Sequence, residues 1–113
     1  MKLWQLIEKG MRVVDNNQTY FQYFEYDDND NLCGACPIGA AYLGTKSKPS
    51  RIVTTNQVIQ ALLKSNPEIL KTKVNYCHRC GIRVHDITSF VLHLNDDHMY
   101  NIENIITSLK DIE

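Results

Sequence analysis

The sequence predicts a small α+β domain dominated by helices, with a short aromatic strand or hairpin and a C-terminal segment resembling a Cys2His2 zinc finger. Three observations predict it. Apolar residues recur at helical spacing near both ends of the chain, an aromatic run lies between residues 19 and 26, and two thiols and two imidazoles fall at metal-ligand spacing between Cys77 and His98. At 113 residues, 43% hydrophobic and 22% charged, the chain holds material for one core, so residues 1–113 read as a single domain.

Leu3, Leu6, Ile7 and Met11 form the apolar stripe of a first helix, widened by Trp4 and expected to stop at Gly10. The stretch Thr19-Tyr20-Phe21-Gln22-Tyr23-Phe24-Glu25-Tyr26 is rich in strand-forming aromatics and reads as a strand. Asp27-Asp28-Asn29-Asp30-Asn31 follows as an acidic, solvated turn. It lacks the glycine of a calcium loop, and Ile38 stands where the bidentate glutamate would fall. Pro37 and Gly44 bracket a helix of small residues, suited to close packing. Lys46 to Arg51 is a basic, proline-containing connector. Thr55 is a candidate cap for a helix carrying Val58, Ile59, Leu62 and Leu63, which Asn66-Pro67 ends. Asp86 can cap the next helix, with Ile87, Phe90, Val91 and Leu94 on its apolar face; a last helix from about Asn101 buries Ile102, Ile105, Ile106 and Leu109.

Charge and patterning exclude several function classes. Twelve basic against thirteen acidic residues give a net charge of −1, without the footprint of a protein that wraps nucleic acid or coats an anionic membrane, so such binding must be local. No apolar run approaches the roughly 18–20 residues needed to cross a bilayer. Gln5 and Glu8 interrupt any secretory leader, which points to a reducing cytosol and makes four cysteines in two Cys-x-x-Cys pairs a matter of metal or redox chemistry instead of disulfides.

Cys77-x2-Cys80-x12-His93-x4-His98 has the ligand spacing of a closed zinc site, with Val84 and Phe90 where a finger places its apolar pair. In this reading a turn presents two thiolates and a helix two imidazoles about one turn apart. A second ligand set, Cys33, Cys36, Cys77 and Cys80, is compatible with thiolate preference although 40 residues separate its two pairs. Base reading by the helix is disfavoured. The positions facing a groove would be Asp86, Thr88, Ser89 and Leu92, without Arg, Lys or Asn, and Asn95-Asp96-Asp97 adds charge that repels phosphate.

Cys33-Gly34-Ala35-Cys36 at a helix start resembles a thioredoxin-type redox motif, but without its βαβ frame. A Cys36–His85 nucleophile pair and an HNH-type site built on His85-Asp86 each lack their remaining signature residues. Tyr20, Tyr23 and Tyr26, beside Asp27, Asp28 and Asp30, form a candidate protein-binding surface that can steer a basic partner, and an edge strand there can pair with its twin in a homodimer. If both faces of the strand are buried, these tyrosines are core.

Gly34-Ala35-Cys36-Pro37-Ile38-Gly39-Ala40-Ala41-Tyr42-Leu43-Gly44, the Cys-x-x-Cys turn, His93-Leu94-Asn95-Asp96-Asp97-His98 and the Ile-rich end together resemble a group of small bacterial and prophage proteins over roughly the whole chain. The resemblance implies a compact, mainly helical domain and no activity of its own. Within that group the chain looks like the type IV secreted effectors that act on other effectors, inhibitors of paired ubiquitin deamidase and transglutaminase enzymes. That likeness implies a bacterial effector enzyme as protein partner and a place in the bacterial cytoplasm or, after translocation, a host cytoplasm. The alternatives are a phage-type nucleic-acid-binding regulator using a single finger and a thiol redox protein.

Overall fold

The computed structural model describes residues 1–113, and α1 (Leu3–Val13), β1 (Phe24–Tyr26), β2 (Leu32–Ala35), α2 (Pro37–Gly44), α3 (Thr55–Ser65), α4 (Ile87–Asp96) and α5 (Ile102–Ile112) follow one another in an α+β arrangement. A single 3-10 turn, Ile69–Lys71, lies between α3 and the C-terminal lobe. Leu3, Leu6, Ile7 and Met11 of α1, Ile38 and Ala41 of α2, Val91 and Leu94 of α4, and Ile105 and Leu109 of α5 are all buried in one continuous core.

The first helix does not stop at Gly10 but runs one turn further, to Val13. Gly10 serves packing instead of termination: a Cβ there would sit 1.6 Å from the carbonyl oxygen of Ala40 in α2. Gly44 is the reciprocal case, since its Cβ would lie 2.3 Å from the carbonyl oxygen of Leu6 in α1. The two helices therefore meet backbone to backbone, which is why α2 is made of small residues. The Glu113 carboxylate closes the far end of α1, accepting from Leu3 N–H at 2.9 Å and Trp4 N–H at 3.1 Å, where the helix dipole favours a negative group.

The strand is shorter than the aromatic run suggests. Only Phe24–Tyr26 pairs with Leu32–Ala35, antiparallel, with a bulge between Glu25 and Tyr26. Thr19 to Gln22 bends away because Phe21 adopts φ +65°, which no strand accommodates. The acidic turn closes the hairpin: Asp27 Oδ1 accepts from the amides of Asn29 at 2.9 Å and Asn31 at 3.0 Å. Thr54, not Thr55, caps α3, with Oγ1 accepting from Gln57 N–H at 3.2 Å. Asp86 and Asn101 cap α4 and α5 as expected.

Candidate metal centre

Residues 75–84 form a narrow hairpin that presents the first two ligands. Val84 N–H donates to Asn75 O at 2.9 Å, Cys77 N–H to Ile82 O at 2.8 Å and Gly81 N–H to Cys77 O at 2.8 Å. Tyr76 and Arg83 stand opposite one another as an isolated antiparallel bridge. The turn tightens at Gly81, whose φ of +75° suits a residue without a side chain. Beneath the hairpin, Val84 and Phe90 are both buried.

α4 presents the imidazoles. His93 lies within the helix, whereas His98 lies just beyond its end at Asp96, so the expectation of two histidines one turn apart on a helix holds for His93 alone. Five residues would carry a regular helix past the shared face. The chain turns back instead, with His98 N–H donating to His93 O at 3.3 Å and Tyr100 N–H to Leu94 O at 3.0 Å around Met99 at φ +53°. The rings end 4.6 Å apart, steeply inclined at 77°.

The four ligand atoms lie within 4.8 Å of one another. Cys77 Sγ is 3.5 Å from His98 Nε2, and Cys80 Sγ is 3.3 Å from His93 Nε2. A tetrahedral ion with bonds of about 2.3 Å to sulfur and about 2.0–2.1 Å to nitrogen has sulfur–nitrogen edges of about 3.5 Å, so the cluster has the dimensions of a metal-binding Cys2His2 group. Electrostatics agree. Burial raises the Cys77 thiol, but the amides of Cys80 and Arg79 and the Cys80 and His93 side chains outweigh it, and its pKa is lowered. Burial, then the neighbouring His93, depress His98 and favour the neutral imidazole a metal needs.

Asp97 completes the support, and nothing in the spacing argument had assigned it a role. Its Oδ2 lies 2.6 Å from His93 Nδ1, fixing the ring so that Nε2 faces the thiols, as second-sphere carboxylates do for metal-bound histidines. The i,i+4 separation of His93 and Asp97 was the readable signal. The rest of His93-Leu94-Asn95-Asp96-Asp97-His98 is equally occupied: Leu94 is core, while Asn95, fully buried, donates to Thr19 O at 3.0 Å and accepts from Gln18 Nε2 at 2.6 Å.

No family model, curated protein or solved structure matches the chain. The functional reading therefore rests on the geometry and on where it places the other sequence candidates. Cys33 and Cys36 are not part of the four-ligand cluster, which the second ligand set would require. Cys33 sits on β2; Cys36 is the N-cap of α2, its Sγ accepting from Gly39 N–H at 3.3 Å. Burial pushes the Cys36 thiol up to about 11, away from the range of a redox or catalytic nucleophile, and His85 is exposed while Cys36 is buried.

On α4, Asp86 and Thr88, two of the four positions that would read bases, are already engaged, while Ser89 and Leu92 stay half-exposed. Asp86 accepts from Ser89 N–H at 2.8 Å and Thr88 Oγ1 at 2.7 Å, and Thr88 is buried. Tyr20, Tyr23 and Tyr26 are half-buried, and Asp27, Asp28 and Asp30 are exposed. Part of that surface is satisfied from within: Arg51 bonds Asp30 Oδ1 at 2.7 Å and covers the Tyr26 ring at 4.5 Å, and Tyr23 Oη meets Thr55 Oγ1 at 2.9 Å. The most exposed aromatic is Phe21, at 72%. No helix is long and apolar enough to cross a membrane.

Proposed function

We propose that this chain is a non-enzymatic protein-binding module whose C-terminal lobe is clipped by zinc, and that it inhibits a bacterial effector enzyme acting on ubiquitin. One observation supports the non-enzymatic part: the protein supplies all four groups of the cluster, so a tetrahedral ion held there would have no position left for substrate. Zinc suits the two-thiolate, two-imidazole set. The only other cysteine pair carries no activated thiol, and the cluster's remaining hydrogen bonds fix orientation instead of moving protons. The enzyme partner comes from the sequence resemblance. In this reading the chain works in the bacterial cytoplasm or, after translocation, in that of a host.

Elemental analysis of purified protein should give one zinc per chain, lost in Cys77→Ser and in His98→Ala. The zinc-loaded chain should co-elute with a ubiquitin deamidase or transglutaminase effector in gel filtration and reduce its turnover. Separate elution at micromolar concentrations of both sinks the inhibitor reading. A nucleic-acid reading has one observation behind it. Residues 71–85 carry Lys71, Lys73, Arg79 and Arg83 and no carboxylate, with Tyr76 exposed opposite Arg83. Salt-sensitive retention of a single-stranded oligonucleotide would favour it.

A further inference from the structure

Six residues other than glycine have positive φ, and Phe21 stands apart among them. Asp15, Asn16 and Asp30 are of types that tolerate the left-handed region, and Lys46 and Met99 lie just past the ends of α2 and α4, where chains commonly turn left-handed. Phe21 is bulky and 72% exposed, so burial of its ring does not compensate the conformation. The conformation is imposed from α4. Phe21 N–H donates to Asp96 Oδ1 at 2.9 Å, while Asn95 Nδ2 bonds both Asp96 Oδ1, at 2.8 Å, and Thr19 O. Gln18 Nε2 bridges Asn95 Oδ1 and Tyr100 O, at 2.6 and 2.8 Å. A polar network centred on the buried Asn95 thus holds an aromatic ring out in water.

Phe21 lines two clefts of about 260 and 390 Å³, which also share Leu92 and Asp96. Tyr23 and Cys36 extend the first, His93 and Asp97 the second. Neither is lined by Lys or Arg, so the groove pairs the apolar Phe21 and Leu92 with the carboxylates of Asp96 and Asp97. Each carboxylate commits one oxygen within the chain, Asp96 Oδ1 to Phe21 N–H and Asn95 Nδ2, and Asp97 Oδ2 to His93 Nδ1. Such a site favours a cation beside an apolar side chain, with the cation able to lie against an aromatic face, and rigid exposed aromatics are frequent binding anchors.

We propose that this groove docks a protein segment presenting Lys or Arg next to an apolar residue, with Phe21 as the anchor. The proposal deepens the protein-binding reading and rests on it. It also gives the metal a task at a distance: His93 and His98 bracket Asn95 and Asp96, so an ion gripping both histidines fixes the turn that holds Phe21 in place.

The test is an NMR titration of nitrogen-15-labelled, zinc-loaded protein with two end-blocked peptides, Lys-Leu-Lys-Leu-Lys and Glu-Leu-Glu-Leu-Glu. The lysine peptide should shift the amides of Phe21, Leu92 and Asp96, at least tenfold more tightly than the glutamate peptide. Phe21→Ala should abolish the shifts. Asp96→Asn, which keeps the acceptor for Phe21 N–H, should weaken them severalfold. Phe21→Gly should lose the shifts while raising the melting temperature, since it removes the strain but not the fold. Equal response to both peptides, shifts centred on the Tyr26–Arg51 face, or a single-stranded oligonucleotide shifting the same amides would overturn the proposal. Failure to bind an effector enzyme bears on the inhibitor reading alone, because the peptides do not depend on it.

Discussion

In zinc-loaded protein, removal of the ion by a chelator should unfold the hairpin 75–84 and leave the α1–α2 pair standing. Fixing ten backbone residues costs about 10–20 kcal/mol in conformational entropy. Against this the hairpin has three backbone hydrogen bonds, from Val84, Cys77 and Gly81, each contributing about 0.5–1.5 kcal/mol net. Burial of Cys77 and Val84 adds about 1.5–3 kcal/mol each, so the hairpin falls short by roughly 5–10 kcal/mol without help. A structural zinc ion supplies about 10–16 kcal/mol of apparent binding free energy in finger peptides at neutral pH, enough to reverse that shortfall. The assay is amide hydrogen exchange on loaded and chelated protein. Protection at Cys77, Gly81 and Val84 should collapse on chelation, while amides of α1 and α2 stay protected. Undiminished protection at those three amides after complete metal removal would refute the reasoning.

Three further outcomes are expected. Gly10→Ala should abolish folding or destabilise by at least about 3 kcal/mol in denaturant titration, because its methyl would need α1 and α2 to separate by roughly 2 Å to reach ordinary contact. Asp86→Ala should cost about 0.5–2 kcal/mol at neutral pH through loss of the α4 cap. Burial raises the Asp86 pKa, but bonds from Ser89 and Thr88 bring it below the usual carboxylate range. A depressed folded-state pKa makes the charged carboxylate's contribution fully present above the ordinary aspartate value and lost as pH falls through the folded one. The gap between wild type and variant, read by melting at a series of pH values, should narrow only in that acid window. Iodoacetamide at pH 8 should leave Cys36 unmodified in the folded chain and label Cys80 only after chelation, as peptide mass analysis will show.

The helices were legible where local chemistry decides: Pro37 and Gly44 bracket α2, Asp86 and Asn101 cap α4 and α5, and each amphipathic stripe marks the buried side. Three members of the ligand set were legible because the Cys77–Cys80 turn and the α4 helix fix their intervals, whereas His98 is brought in by the turn after α4. What escaped depends on partners far away in the chain. Gly10 reads as a stop until Ala40 is known to lie against it. The aromatic run reads as one strand until Asn95 and Asp96, more than seventy residues on, pull Thr19 and Phe21 out of it. Asp97 was within reach, since a carboxylate four residues after a histidine on a helix faces the same way.

The close approach of Gly10 to Ala40 and of Gly44 to Leu6 has a bearing on adaptability. Helices that touch through their main chains have no rotamers to rearrange, so a change on one cannot be absorbed by the other, and that half of the molecule is fixed once and for all. The opposite half carries the Cys2His2 cluster, and an ion held there would bind with a strength that follows the supply of the dissolved cation and the abundance of protons. With an ion bound, one end would be constant while the other answers to its surroundings, and the responsive end could be retuned without touching the rigid one.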